Sequence, residues 1–457
     1  MPSVSSSRAD SSTPRPATRR VARHLHGATL LAALVACATC THGDITVVEP
    51  AAQGPNDTLA LTIVPDGEDA AAASALGWKG GIPGAEVILA PSVEPKGWGA
   101  GDTATGPPID TLVTDSAGHV SVPDLAPGWY YVEMHRWLTP TELGRLAPGA
   151  DVIGFTTQKV VRRRRDTLTV PGSHRRSIVI SEVSSFPQWI PGTPDSYTPG
   201  SYLELANNSD TTVYLDGLVI ALFGTDGESV PPTGRCAALE SYDNDPDGVW
   251  VEYMDSLPGT GHDYPLAPGA VAVVATDAID HRPLSPLWGL DLSHANFEMV
   301  GTADADNPAV PNSVVIGPNG NWGPHGILFT ADLAAAIVIA LPVDTNSIAK
   351  AQKYASELGW ARRLPRDHIL DVLDAYWSDI GTAYGNLCPT QVNSAFDRQP
   401  APLWWSHLPD FDWHSVGAYS IQRKVAYTRS DGRKILQDTR STEADFFVGL
   451  RTPFQLP

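Results

Sequence analysis

Charge is scarce in this chain, and positive charge is the scarcer kind. Only 18% of the 457 residues are charged, with 31 Lys and Arg against 51 Asp and Glu, a formal balance of −20. So acidic a chain repels phosphate backbones, which argues against nucleic acid as a partner. The apolar run Gly27 to Ala36 is too short to cross a bilayer as a helix. Reactive-site signatures are also missing: there is no Gly-rich phosphate loop, no G-x-S-x-G elbow, no H-E-x-x-H and no paired C-x-x-C. Cysteine is limited to four residues.

What is present is turn chemistry. Glycine and proline number 40 each, about 17% of the chain together, against a usual share of about 12%. Many turns between short apolar stretches point to an all-β protein, and the length allows two or three domains with real cores.

The N-terminus combines Arg15, Arg19, Arg20 and Arg23 with the short apolar run and then Leu34-Val35-Ala36-Cys37. This order resembles the lipobox of bacterial lipoprotein signal peptides. The resemblance implies that residues 1–36 are a signal peptide and that lipidated Cys37 begins the mature chain, an exported protein anchored in the cell envelope, in the outer membrane by expectation. Several acyl chains supply the multiple anchors that stable attachment needs. Removing the five arginines and Asp10 of residues 1–36 leaves 26 positive against 50 negative side chains, a balance of −24. Residues 37–55 are small and polar and read as the lipidated tether. In an exported chain Cys236 and Cys388 are the expected disulfide pair, with Cys40 left in the tether. No histidine spacing supports the alternative of a catalytic thiol.

Strand-length runs begin at Leu59–Val64 and are closed by Pro65-Asp66-Gly67. Gly84 to Val87, the turn Thr114 to Gly118, the step Val122 to Leu125 and Pro127 to Tyr130 then follow in order. Together they resemble the small prealbumin-like sandwich found beside carboxypeptidases, over residues 56–171. Such modules are usually scaffolds, and some bind sugars or peptides. Arg162 to Arg165, Arg175 and Arg176 straddle a boundary expected near Pro171-Gly172 and read as a solvated strand end facing an acidic remainder.

A second unit, residues 176–457, opens on Ile180-Ser181-Glu182-Val183. It continues with Tyr202–Asp210, Val213–Gly217 and Leu266-Ala267-Pro268-Gly269. This succession resembles the lamin-tail domain, an immunoglobulin-like sandwich, here enlarged by long loops. Ala336–Leu341 reads as a buried strand, and Pro365–Asp374 as a short surface helix, because a proline start precedes apolar residues at helical spacing. With Asp291–Glu298 and Leu436–Phe446, these segments resemble an uncharacterised family of bacterial exported lipoproteins, domain of unknown function 4876. That resemblance implies no transferable activity; it suggests company with outer-membrane transport receptors.

Three places could carry chemistry. Asp243, Asp245 and Asp247 alternate before Gly248, a start for a calcium loop. The bidentate carboxylate expected at the twelfth position is replaced by Met254, so a polar turn is the plainer reading. Trp404, Trp405, His407, Asp412 and His414 bring metal-ligand types among aromatics suited to stacking on a sugar, or simply packing anchors. Glu182 and Glu204 could act as acid and base, but both fall inside strand patterns. The function expected is therefore a non-catalytic, lipid-anchored binding or accessory module for a receptor, glycan or peptide, with calcium as the one cofactor in view. The competing reading is a metal-assisted hydrolase of a phosphoester or glycan, centred on Trp404–His414.

Overall fold

The computed structural model describes residues 56–94, 104–146, 151–164, 167–184, 188–189, 196–197, 199–224, 245–300, 306–317, 335–352, 360–377, 392–403, 416–429 and 431–456. In the strand Asp57–Pro65, Leu59, Leu61 and Ile63 are buried while the residues between them are half-exposed. This is the alternation of a strand with one wet face. Seven such strands form one sheet. Its order is Asp110–Val113, Glu86–Ser92, Trp129–Trp137, Gly154–Arg162, Leu168–Arg175, Asp57–Pro65 and His119–Leu125. Only Asp57–Pro65 and Leu168–Arg175 pair in parallel. The sheet encloses one core in which Leu61, Val87, Val122, Val132, Phe155 and Val170 meet.

The Thr114–Gly118 turn has the chemistry its sequence suggests. One Asp115 carboxylate oxygen accepts the N–H groups of Ala117 and His119, both at 2.8 Å. Gly118 has φ +80°, and a Cβ there would stand 2.5 Å from the Ile63 carbonyl oxygen. Only glycine meets both conditions. Pro171 and Gly172, by contrast, belong to no turn. They lie inside the strand Leu168–Arg175, where Gly172 lets the chain pass Met134 and Ile82.

From Ile178 onward the fold is layered. One six-stranded sheet runs Phe297–Glu298, Val271–Ala275, Tyr202–Asn207, Ile178–Ser184, Tyr419–Arg423, Phe446–Leu450. The other runs Val314–Val315, Tyr253–Ser256, Val219–Gly224, Ala335–Ala340, Ile369–Trp377, Ala401–Leu403. Ile180, Leu205, Ile220, Ile339 and Leu373 fill the space between them. On the far side of the second sheet, Val219, Ala221 and Val338 meet Val249 and Leu364 of a three-stranded sheet. A strand buried on both faces needs an unbroken apolar run, which is what Val219–Leu222 and Ala336–Ala340 supply.

Pro365–Asp374 is not a surface helix. Arg366–His368 make one 3₁₀ turn, and Ile369–Trp377 is a central strand paired antiparallel with Ala335–Ala340. Ile369, Leu370, Val372 and Leu373 are all buried, two on each face of the sheet. Apolar pairs split by one residue fit a helix stripe and a doubly buried strand equally well. Among the described residues no helix is long and apolar enough to cross a membrane.

Candidate functional site

The seven-stranded sheet and the layered sheets meet along a polar seam, and the basic pair at residues 175 and 176 lies in it. Arg175 is only 1% exposed, which corrects its reading as a solvated strand end; Arg162 and Arg164 are exposed as expected. Its guanidinium donates to Thr156 Oγ1 at 2.9 Å and to the Leu436 carbonyl at 3.3 Å. It lies over the rings of Trp137 and Tyr427, 5.5 and 5.8 Å from their centroids. Trp137 Nε1 donates to the Tyr427 hydroxyl at 2.6 Å, and the Arg176 backbone N–H donates to Asp438 at 2.8 Å. A charge this deep persists because hydrogen-bond acceptors and aromatic faces replace its water.

Beside this seam runs a groove of about 670 Å³, within the range that takes small organic ligands. Ala71, Ala72 and Ala75 of the helix Ala70–Leu76 line it with Leu146 and Phe396. His174, Arg176, Arg366 and Arg440 line it too, with Asp69, Asp151 and Asp367. Both signs of charge are therefore present beside an apolar wall. Burial lowers the Arg176 and Arg366 guanidinium groups; Asp151 and Asp438 oppose this at Arg176, and the charge of Arg440 adds to it in each case.

The groove holds one ordered pair. Asp69 is 3% and His174 6% exposed. The Asp69 carboxylate accepts the His174 backbone N–H at 3.0 Å and faces the ring through Nδ1. Arg440 Nη2 lies 3.7 Å from the same carboxylate and donates to Asp66 at 2.8 Å. Burial pushes Asp69 up, but the imidazole, its hydrogen bonds and Arg440 outweigh it and hold the carboxyl below its ordinary value. His174 is lowered, first by burial and then by Arg176, despite Asp69. An ionised Asp69 only accepts, so His174 Nδ1 carries the proton, and the neutral ring is left with a lone pair on Nε2. That Nε2 is buried and has no hydrogen-bond partner. The Arg176 guanidinium likewise makes no hydrogen bond or ion pair with any described residue, its backbone N–H being the donor to Asp438. Among the described residues Arg440 is one of three non-glycine residues at positive φ, at +56°, a conformation that the surrounding contacts must enforce.

Glu182 and Glu204 are opposed across neighbouring strands and both fully buried. Glu182 accepts from the Tyr202 hydroxyl at 2.5 Å, the Ser420 hydroxyl at 2.6 Å and the Thr452 N–H at 2.9 Å. Glu204 accepts from Ser181 Oγ at 2.8 Å and the Phe454 N–H at 2.7 Å. Burial, reinforced by Glu182, raises Glu204 to about 8 against its hydrogen bonds. Both side chains are fully buried and bind the backbone of Thr452 and Phe454, so the pair ties residues 452–454 to the sheet.

Of the other candidates, Asp245 has both carboxylate oxygens engaged: one accepts the Asp247 N–H at 2.9 Å, the other Trp250 Nε1 at 2.8 Å and Arg363 at 3.3 Å. Asp247 is exposed. Asp243, Cys37, Cys236, Cys388, Trp404, Trp405, His407, Asp412 and His414 lie outside the described residues. Among the described residues no group of three or more His, Cys, Asp or Glu could hold a metal ion. Asp69, His174 and Arg440 were invisible to motif reading. The available signal was the histidine directly before Arg175-Arg176.

Residues 267–452 match the model of a family described as a protein of unknown function, DUF4876. No curated protein sequence matches the chain. Among solved structures, a DUF4876 family protein from Bacteroides thetaiotaomicron is 16% identical, with 88% of this chain and 98% of that one covered and a TM-score of 0.47. A DUF3823 family protein from Bacteroides uniformis is 10% identical over 67% and 96% of the two chains, with a TM-score of 0.15. The shaft pilin SpaA from Lactobacillus rhamnosus GG is also 10% identical, over 65% and 91%, with a TM-score of 0.17.

Proposed function

We propose that this chain is an exported, lipid-anchored protein of the bacterial cell envelope that works by binding rather than catalysis, with the seam groove as its binding site. The observation that carries the reading is the groove itself. It combines an unmatched buried atom, His174 Nε2, and the half-buried Arg176 guanidinium with an apolar wall, and among the described residues no hydroxyl or thiol nucleophile lines it. Recognition needs a few directed polar groups on a concave apolar surface, and catalysis by acyl or glycosyl transfer needs a nucleophile or a second free acid as well. The lipobox-like order ending at Cys37 and the acidic balance support placement at an envelope surface. In this reading the sheet of residues 57–175 is a prealbumin-like module and the layered body a lamin-tail-like one. Their joint product is the groove between them, and an outer-membrane transport receptor is the partner in view.

Isolation of the full lipidated protein from native membranes, followed by identification of what co-purifies, tests this. A receptor that is retained by the wild type and lost in Arg176→Gln supports it. Recovery of the protein with an unmodified N-terminus upstream of Val35 in the cytosol would overturn it.

A further inference from the structure

The seam groove leaves two hydrogen-bonding demands of opposite kind unmet. The Arg176 guanidinium, which lines it, is half-buried and makes no side-chain hydrogen bond to any described residue; Asp151 and Asp438 offset part of the cost of its charge, and its planar donors stay open to an anionic acceptor. His174 Nε2 is the reverse. Its ring is held by Asp69 through Nδ1, so Nε2 presents a lone pair that calls for a donor. Such an atom, buried and unmatched, costs about 1–3 kcal/mol unless something donates to it. A bare oxyanion answers Arg176 and repels His174. A neutral apolar molecule answers neither. The wall of Ala71, Ala72, Ala75, Leu146 and Phe396 adds a third demand, for a hydrophobic segment.

We propose that the groove binds the carboxy terminus of a peptide whose last residue is apolar. The terminal carboxylate meets Arg176, the last amide N–H donates to His174 Nε2, and the side chain lies on the alanine face of the helix Ala70–Leu76. A peptide end is the chemistry that places an anion, an adjacent N–H and an apolar group on one residue. The groove volume of about 670 Å³ takes the last few residues of such a chain and no folded domain. This assignment rests on the binding reading above and gives it a ligand class.

The test uses the full-length protein in detergent and calorimetric titration with four probes. They are acetyl-Ala-Ala-Leu, its C-terminal amide, the depsipeptide in which oxygen replaces the last N–H, and inorganic phosphate. The free acid is expected to bind. The amide and the depsipeptide are each expected to bind about tenfold more weakly or worse, the loss that one hydrogen bond to a charged or buried group carries. In Arg176→Gln the acid should fall to the level of the amide, and the two should no longer differ. Because His174 is packed in the fold, its contribution is read from the depsipeptide, which leaves the protein unchanged. Equal affinity for acid and amide, or phosphate binding as tightly as the peptide, overturns the proposal. If none of the four probes binds while a receptor is still retained from membranes, the ligand class is wrong and the binding reading stands. If both measurements fail, both fall.

Discussion

Two of the places where the described residues bury ionisable side chains do so in opposite ways. At the Glu182–Glu204 centre the carboxylates accept from the Tyr202, Ser420 and Ser181 hydroxyls and from the Thr452 and Phe454 backbone N–H groups. In the seam groove the Asp69–His174 pair is equally buried, yet Nε2 has no partner, and neighbouring Arg176 makes no side-chain bond to a described residue. Burial is therefore not what distinguishes a site from a brace. A brace has its hydrogen-bonding capacity filled by the chain, whereas a site keeps part of it open toward a space large enough to hold something.

The contrast breaks most visibly by emptying the brace. Glu182→Leu keeps the volume but leaves the Tyr202, Ser420 and Thr452 donors without an acceptor in a dry sheet. The expected loss is about 3–5 kcal/mol of unfolding free energy, the range for breaking one side of a buried charged network. Urea unfolding followed by circular dichroism measures it. A loss near zero would mean that the centre does not hold residues 452–454 in place.

A smaller effect is expected from pH, and it separates the two places by sign. Glu204 is raised to about 8 from an ordinary 4.5, so the fold binds its proton more tightly than the unfolded chain does. Its contribution to stability is full below about pH 4.5 and is lost as pH rises toward 8. Asp255, raised to about 6 by burial against one hydrogen bond from Ser313, adds to that trend at its lower end. Asp69 is held below its ordinary value, so its contribution is present at neutral pH and disappears on acidification. Stability should thus fall between pH 5 and 8 by at most about 1.4 kcal/mol per unit from Glu204. The substitution Glu204→Gln should flatten that slope and leave the acid limb intact. A slope unchanged in Glu204→Gln would show that the carboxyl does not titrate in this window.

How far the sequence reveals these places depends on how local their causes are. The Thr114–Gly118 turn and the alternation of Leu59, Leu61 and Ile63 are written in adjacent residues, and both are legible. The doubly buried strand Ala335–Ala340 is legible because its apolar run is unbroken. Ile369–Trp377 is not, since only its neighbour in the sheet tells a doubly buried strand from a helical stripe. The seam fails for a stronger reason. Arg175 and Arg176 look solvated beside Arg162–Arg165, and nothing nearby says otherwise. The atoms that cover Arg175 come from Leu436, 261 residues later, and those that order His174 come from Asp69, 105 residues earlier. Glu182 and Glu204 show the converse: visible as carboxylates and correctly placed in strands, they reveal their partners near residue 452 only in the fold.

The smallest predicted effect sharpens the comparison most. Arg176 is half-buried, and burial together with Arg440 disfavours its charge, while Asp151 and Asp438 offset part of that. With no side-chain hydrogen bond to lose, Arg176→Gln should change the unfolding free energy by less than about 1 kcal/mol, as substitutions outside a bonded network do. Arg423 is the matched control, a guanidinium 1% exposed that donates to the Ile180 carbonyl at 2.6 Å and the Gln437 carbonyl at 2.9 Å and pairs with Asp371. Arg423→Gln should cost several times more, about 3 kcal/mol, because it strands a buried carboxylate. Parallel denaturation of the two variants at pH 7 reads the difference directly. Equal costs would mean that Arg176 is as much a structural tie as Arg423, and the groove would then lose the open valence that sets it apart from the sealed centre.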